Sequence, residues 1–338
     1  MTMQNDYVPP NSPVQPQAQF VTITEEEAGQ RIDNYLLRVC KGVPKSHIYR
    51  ILRSGEVRVN KGRIDQLYRL ASGDVVRIPP VRVAEKAVSN VPGAEFAILH
   101  EDAHLLVIDK PSGIAVHGGS GVSYGVIEQL RAARPDAKFL ELVHRLDRET
   151  SGLLMLAKKR SALTNLHEQM RDGVTDKRYL TVVAGEWKNA RQHIKLPLHK
   201  YTTPEGERRV CVQAGGMESH TVFSLQKRWV LGANAASEQF ALLEAELKTG
   251  RTHQIRVHLA SSGFPILGDD KYGDFALNRV LLKAAQGRGA LKRMFLHAHQ
   301  ITFTHPETGR AMTINAPLPA ECERFLLSLG KPVAMAPR

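Results

Sequence analysis

Two uninterrupted apolar runs, Leu105-Leu106-Val107-Ile108 and Leu153-Leu154-Met155-Leu156, constrain the fold of this chain most tightly. Four large apolar residues between polar, turn-forming stretches have the length of a strand buried on both faces. Further strands are predicted at Arg178 to Ala184, where Tyr179, Thr181 and Val183 share a face, and at Phe240 to Leu247. Ser161 is the expected cap of a helix with Leu163, Leu166 and Met170 inward, ending near Gly173. Thr252 is the expected cap of another, bearing Ile255 and Leu259 and ended by Gly263 and Pro265. Strands and helices follow one another without regular alternation, which predicts α+β rather than a doubly wound parallel sheet.

The N-terminal quarter is patterned differently. Residues 1–20 hold Pro9, Pro10, Pro13 and Pro16 among Asn and Gln and read as a disordered lead-in. Residues 21–82 read as one compact unit: a short strand from Phe20 to Ile23, then Ile32, Tyr35, Leu36 and Val39 at helical spacing. Gly42 and Pro44 break that helix, Ser46 is placed to cap a second with Ile48, Ile51 and Leu52, and Gly55 to end it. Asn60-Lys61-Gly62 is a turn signal, and Gly73-Asp74 leads into a strand from Val75 to Ile78. Residues 83–94 form a linker, and 95–338 a larger second domain.

Charge is concentrated in the first unit. The chain carries a net +12, and residues 31–63 hold nine Lys or Arg against Asp33 and Glu56. Solubility alone accommodates a basic total, but a one-signed helix face with little acidic relief favours nucleic-acid phosphate. Lys45, Tyr49 and Arg53, with Arg50 beside them, form that face, and Arg58 and Lys61 beyond the helix are expected to join it in contacting RNA. Cys40, Cys211 and Cys322 are odd in number and scattered, as in a reducing cytoplasm, with no metal knuckle. No apolar run approaches the roughly 20 residues of a membrane helix.

The densest ionisable cluster is His144-Arg145-Leu146-Asp147-Arg148-Glu149-Thr150-Ser151-Gly152, just before the second apolar run. A loop there is anchored at the core edge, so a carboxylate loses part of its water shell while the flanking arginines favour its charge. Such a group suits a nucleophile, although crowded loops are often merely solvated.

This run closely resembles the active-site motif of the RluA-type pseudouridine synthases, and Asp147 falls on their catalytic aspartate. Asp109-Lys110-Pro111-Ser112-Gly113, Lys177-Arg178-Tyr179, Thr249 to His258 and Gly268-Asp269-Asp270-Lys271-Tyr272-Gly273 resemble further family segments in the same order. Residues 30–82 resemble the S4 RNA-binding module. The wording of Lys41 to Ser46 and Val75 to Ala84 is closest to the RluC subgroup, which modifies uridines of large-subunit ribosomal RNA. Two departures stand out: the stretch Gly215 to Ser219, where relatives commonly place a lysine near Met217, and an Ala-rich insertion at 231–238.

The resemblance implies a mostly antiparallel mixed sheet with flanking helices behind an S4-like domain. It implies Asp147 as nucleophile or charge stabiliser, Arg256 as its bidentate partner and Tyr179 as the aromatic packing on the uracil and assisting loss of its C5 proton. Ile255 would wall the base pocket, and Arg145 would fill the space a flipped uridine leaves. The isomerisation is redox-neutral and calls for no nucleotide, redox cofactor or metal. The expected partner is large-subunit ribosomal RNA, without a membrane, for a monomer in the cytoplasm. His253 and His258 are not read as zinc ligands, because five residues on a helix place them about 140° apart. Left open are other ribosomal or transfer RNA sites, an inactive RNA-binding assembly factor, and a nucleoside-hydrolysing glycosidase, which usually needs paired carboxylates.

Overall fold

The computed structural model describes residues 17–334, apart from 26, 41, 82–90, 120–121, 232–237 and 284–289. Most of the expected lead-in, linker and Ala-rich insertion lies outside the described residues. The chain divides into two compact units, Met1–Asn90 and Val91–Arg338.

The first unit contains β1 (Gln19–Thr22), α1 (Ile32–Val39), α2 (Lys45–Arg53), β2 (Arg58–Val59) and β3 (Val75–Ile78). The strands form an antiparallel sheet in the order β1-β3-β2. Its core is Ile23, Ile32, Tyr35 and Leu36 against Ile48, Ile51, Leu52 and Val76, as the spacing predicted. Asn60 and Lys61 both adopt left-handed backbone, φ 50° and 70°, and the Asn60 side chain bonds Asp74 and the Val75 N–H. Gly55 ends α2 at φ 73°. Ser46 does not cap α2: the helix begins at Lys45 behind Pro44, whose fixed φ pre-sets the entry without a side-chain bond. The Tyr49 hydroxyl donates to buried Asp33 at 2.9 Å, and its ring centroid lies 5.6 Å from Lys45 Nζ of the basic face.

In the second unit come β4 (Ala97–Glu101), β5 (Leu105–Lys110), α3 (Val126–Ala133), β6 (Glu141–Leu142), β7 (Ser151–Ala157) and α4 (Arg160–Arg171). There follow β8 (Asp176–Ala184), β9 (Arg191–Ile194), β10 (Leu198–Thr202), β11 (Arg208–Val212), β12 (Thr221–Leu231) and β13 (Glu238–Leu247). Last are α5 (Gln254–Ser261), α6 (Phe275–Lys283), β14 (Leu296–Thr304), β15 (Ala311–Asn315) and α7 (Ala320–Ser328). Eight strands run in the order β4-β5-β7-β14-β8-β13-β12-β9, with β6 on β7 and β15 on β14. Pairing is antiparallel except between β7 and β14. Both apolar runs are buried strands, and every residue of β7 is buried. β10 and β11 form a separate hairpin, seated by Leu198 and Val210 on Val257 and Tyr272.

Two helix starts of this second unit also differ from expectation. Ser161 lies inside the first turn of α4, which begins at Arg160 with no side-chain cap. Thr252 does not cap α5 either. Gln254 Oε1 accepts the Arg251 N–H and the Thr249 hydroxyl, closing the preceding loop. His253 becomes the N-cap in left-handed conformation, φ 54°. The angular argument about His253 and His258 therefore lapses: His253 stands outside the helix, while His258 is buried on Ser219 and Thr221.

Candidate active site

Four neighbouring strands set the floor of the site. Ala298 of β14 registers with Gly152 of β7 on one side and Tyr179 of β8 on the other, and Tyr179 registers with Ala245 of β13. Small residues therefore flank Tyr179, and the loop feeding β7 is brought beside it. Gly152 is required: its φ is 105°, and a Cβ would overlap the Ala298 carbonyl.

The loop before β7 is bonded from behind. Gly113 N–H and Lys110 Nζ donate to the Arg148 carbonyl at 2.9 and 3.1 Å, and Ser112 Oγ donates to the Glu149 carbonyl at 2.7 Å. Lys110 is fully buried and also donates to the carbonyls of Pro111 and Ile114. Burial and the nearby Arg293 pull its ammonium down to about 7, although three carbonyl acceptors call for all three protons. Arg293 Nη2 donates to Ser151 Oγ at 2.7 Å, and Ser151 in turn lies 2.8 Å from His297 Nδ1. These bonds leave Leu146 buried, Arg145 and Arg148 exposed, and the Asp147 side chain one quarter exposed.

Arg256, from the first turn of α5, is 2% exposed. Its pairing differs from the expected bidentate grip on Asp147. Nε and Nη2 bond the two oxygens of Asp269, both at 2.7 Å, and Nη1 alone reaches Asp147 Oδ2, at 3.3 Å. Asp269 wins because it is buried and already fixed by the N–H groups of Lys271 and Tyr272. Burial works against its charge, but the Arg256 bonds outweigh that and hold the carboxyl below the usual range. Nη2 also lies 3.2 Å from Asp270.

Arg145, Asp147, Tyr179, Ile255 and Arg256 all line one cleft of about 1810 Å³. That exceeds the few hundred to about 1,000 Å³ of small-molecule pockets and leaves room for a macromolecule. Its walls carry the exposed cations Lys200, Arg208 and Arg251. Burial raises the Tyr179 hydroxyl well above its ordinary pKa, and Asp147 adds to that, so the phenol keeps its proton. Lys45, Arg50, Arg53, Arg58 and Lys61 are exposed on the first unit. Among the described residues no group of three His, Cys, Asp or Glu is placed to hold a metal. No described helix is long and apolar enough to cross a membrane.

Sequence reasoning gave no role to Asp269, Lys110, Arg293, His253 or Tyr272. Asp269, Lys110, His253 and Tyr272 fall inside quoted motifs, and only the contacts bring them to the site. Arg293 stands outside every motif.

This arrangement is that of an RNA-modifying fold. The RNA pseudouridylate synthase family model matches residues 104–261, and the S4 domain model residues 30–76. The chain belongs to the RNA pseudouridylate synthase family. It is 53% identical over 317 residues to the ribosomal large subunit pseudouridine synthase C of Pasteurella multocida, covering 92% of this chain and 93% of that protein. With the protein of the same name from Escherichia coli K12 the identity is 52% over 321 residues, covering 93% and 97%. Among solved structures, human RNA pseudouridylate synthase domain containing 4 superposes with TM-score 0.54 at 25% identity, over 69% of this chain and 92% of that one.

Proposed function

We propose that the protein isomerises specific uridines of large-subunit ribosomal RNA to pseudouridine, with Asp147 as the reacting carboxylate. The observation that carries this reading is a quarter-exposed Asp147 at the floor of a large basic cleft, touched by a buried arginine from a distant part of the chain. In the reaction the N1–C1′ bond breaks, the uracil turns, a C5–C1′ bond forms, and C5 loses a proton while N1 gains one. Asp147 supplies the negative charge that meets the developing cation or the base; Arg256 Nη1 orients it. Tyr179 packs on the uracil. Its raised pKa makes a phenolate base at neutral pH unfavourable, so its part is contact and shape.

The target uridine must leave its stack, at a cost of about a few kcal/mol. Exposed Arg145, two residues before Asp147, fills the gap, and Ile255 walls the pocket. We assign residues 21–82 to RNA delivery through Lys45, Arg50, Arg53, Arg58 and Lys61, 83–94 to a linker and 95–338 to catalysis. The protein acts as a monomer in the cytoplasm, without a nucleotide cofactor.

The test is incubation of purified protein with a full-length large-subunit transcript, followed by nucleoside analysis. Pseudouridine from wild type and none from Asp147→Asn is expected. Release of free uracil would instead mark a glycosidase, and binding without product an inactive assembly factor.

A further inference from the structure

His253 lines the same cleft as Asp147. Its side chain is 14% exposed, and its backbone is left-handed, φ 54°, a conformation uncommon outside glycine. His253 Nδ1 lies 2.8 Å from the Tyr272 hydroxyl, which accepts the Val210 N–H of β11 at 2.9 Å. Among the described residues the hydroxyl has no other hydrogen-bond partner, so its own proton points to Nδ1. Nδ1 then bears the lone pair and Nε2 the proton. Burial keeps the ring neutral, with Arg256 and Lys271 acting in the same direction against Asp147 and Asp269.

Nε2 faces Asp147 Oδ2 at 3.8 Å, the same oxygen that Arg256 Nη1 approaches. At that separation there is no hydrogen bond, but catalytic bonds commonly tighten only when substrate is bound. No hydrogen bond from a described residue falls on Oδ1. The far end of the relay is the β10–β11 hairpin, which carries exposed Lys200, Tyr201 and Arg208 along the cleft. Near its turn Glu207 pairs with Lys271 at 2.5 Å, beside Tyr272.

We propose that His253 is a positioning residue for Asp147: when RNA loads the β10–β11 hairpin, the Val210–Tyr272–His253 relay closes Nε2–H onto Asp147 Oδ2, leaving Oδ1 as the reacting oxygen. The proposal rests on Asp147 being the reacting carboxylate.

The test compares wild type, His253→Ala, His253→Gln, Tyr272→Phe and Asp147→Asn on a full-length large-subunit transcript. Single-turnover pseudouridine formation is measured at saturating protein, RNA affinity by filter retention, and folding by thermal melting. His253→Ala and Tyr272→Phe are expected to slow the single turnover at least tenfold, with affinity within twofold of wild type. His253→Gln, whose amide N–H can take the place of Nε2–H, is expected to regain several-fold of that rate. A His253→Ala rate within twofold of wild type overturns the proposal. So does an affinity loss matching the rate loss, or a folded His253→Gln no faster than His253→Ala. Product from Asp147→Asn would overturn the underlying reading of Asp147 instead.

Discussion

Arg256 and Asp269 form a two-point pair, 2.7 Å at both contacts, which fixes the guanidinium so that only Nη1 is left to address Asp147. Asp269→Ala would strand a buried cation. Breaking a buried pair by removing one partner costs about 3–5 kcal/mol, so a clear loss of urea stability is expected together with slower turnover. Arg256→Lys lacks the planar fork that spans both Asp269 oxygens while still reaching Asp147, and should fall short of wild-type turnover by more than tenfold. Wild-type stability for Asp269→Ala would show that the pair does not anchor the arginine.

Gly152 sits where β7 meets β14. Gly152→Ala combines a strained positive φ with overlap on the Ala298 carbonyl, and a destabilisation of about 2 kcal/mol or more is expected. Equilibrium denaturation measures it, and a change below about 0.5 kcal/mol would contradict the packing described.

Acid sensitivity follows from His297. Burial pulls this fully buried imidazole down to about 4. Between about 4 and the unfolded value near 6.5 the unfolded chain binds the extra proton, so stability rises with pH across that window. On the order of 3 kcal/mol is lost as pH falls through it, and no more from this residue below about 4. His144, likewise pulled to about 4 by burial, adds in the same direction. Denaturation of His297→Gln between pH 4 and 7 should show a shallower slope than wild type.

Arg145→Ala separates flipping from chemistry. Activity on folded RNA should fall at least tenfold, and activity on a short target whose uridine is already unstacked by much less. Equal losses would remove the flipping role.

The basic residues of α2 and of the turn after β2 predict a salt effect. Replacing Arg50, Arg53 and Lys61 with alanine should weaken binding and reduce the slope of log affinity against log salt by up to about one per lost phosphate contact. An unchanged slope would place RNA elsewhere.

Local features were legible in the sequence because short-range chemistry decides them. The Val75–Ile78 strand, the Asn60–Lys61 turn and the buried β7 run occur where periodicity and turn residues place them. Ser46, Ser161 and Thr252 did not cap their helices, since Pro44, the entry at Lys159 and the Gln254-closed loop set those starts. The bidentate partner of Arg256 was not legible. Asp147, Asp269 and Asp270 are equivalent as sequence, and only burial and the backbone bonds on Asp269 decide which holds the guanidinium. The relay from Val210 through Tyr272 to His253 was equally hidden, because its members meet only in three dimensions.

The central claim is tested most directly by mapping pseudouridine in ribosomal and transfer RNA from cells lacking this gene, then restored with wild type or Asp147→Asn. Defined uridines of the large-subunit RNA should lose the modification, regain it with wild type and remain unmodified with Asp147→Asn. A map unchanged by the deletion, or restored by Asp147→Asn, would contradict the account.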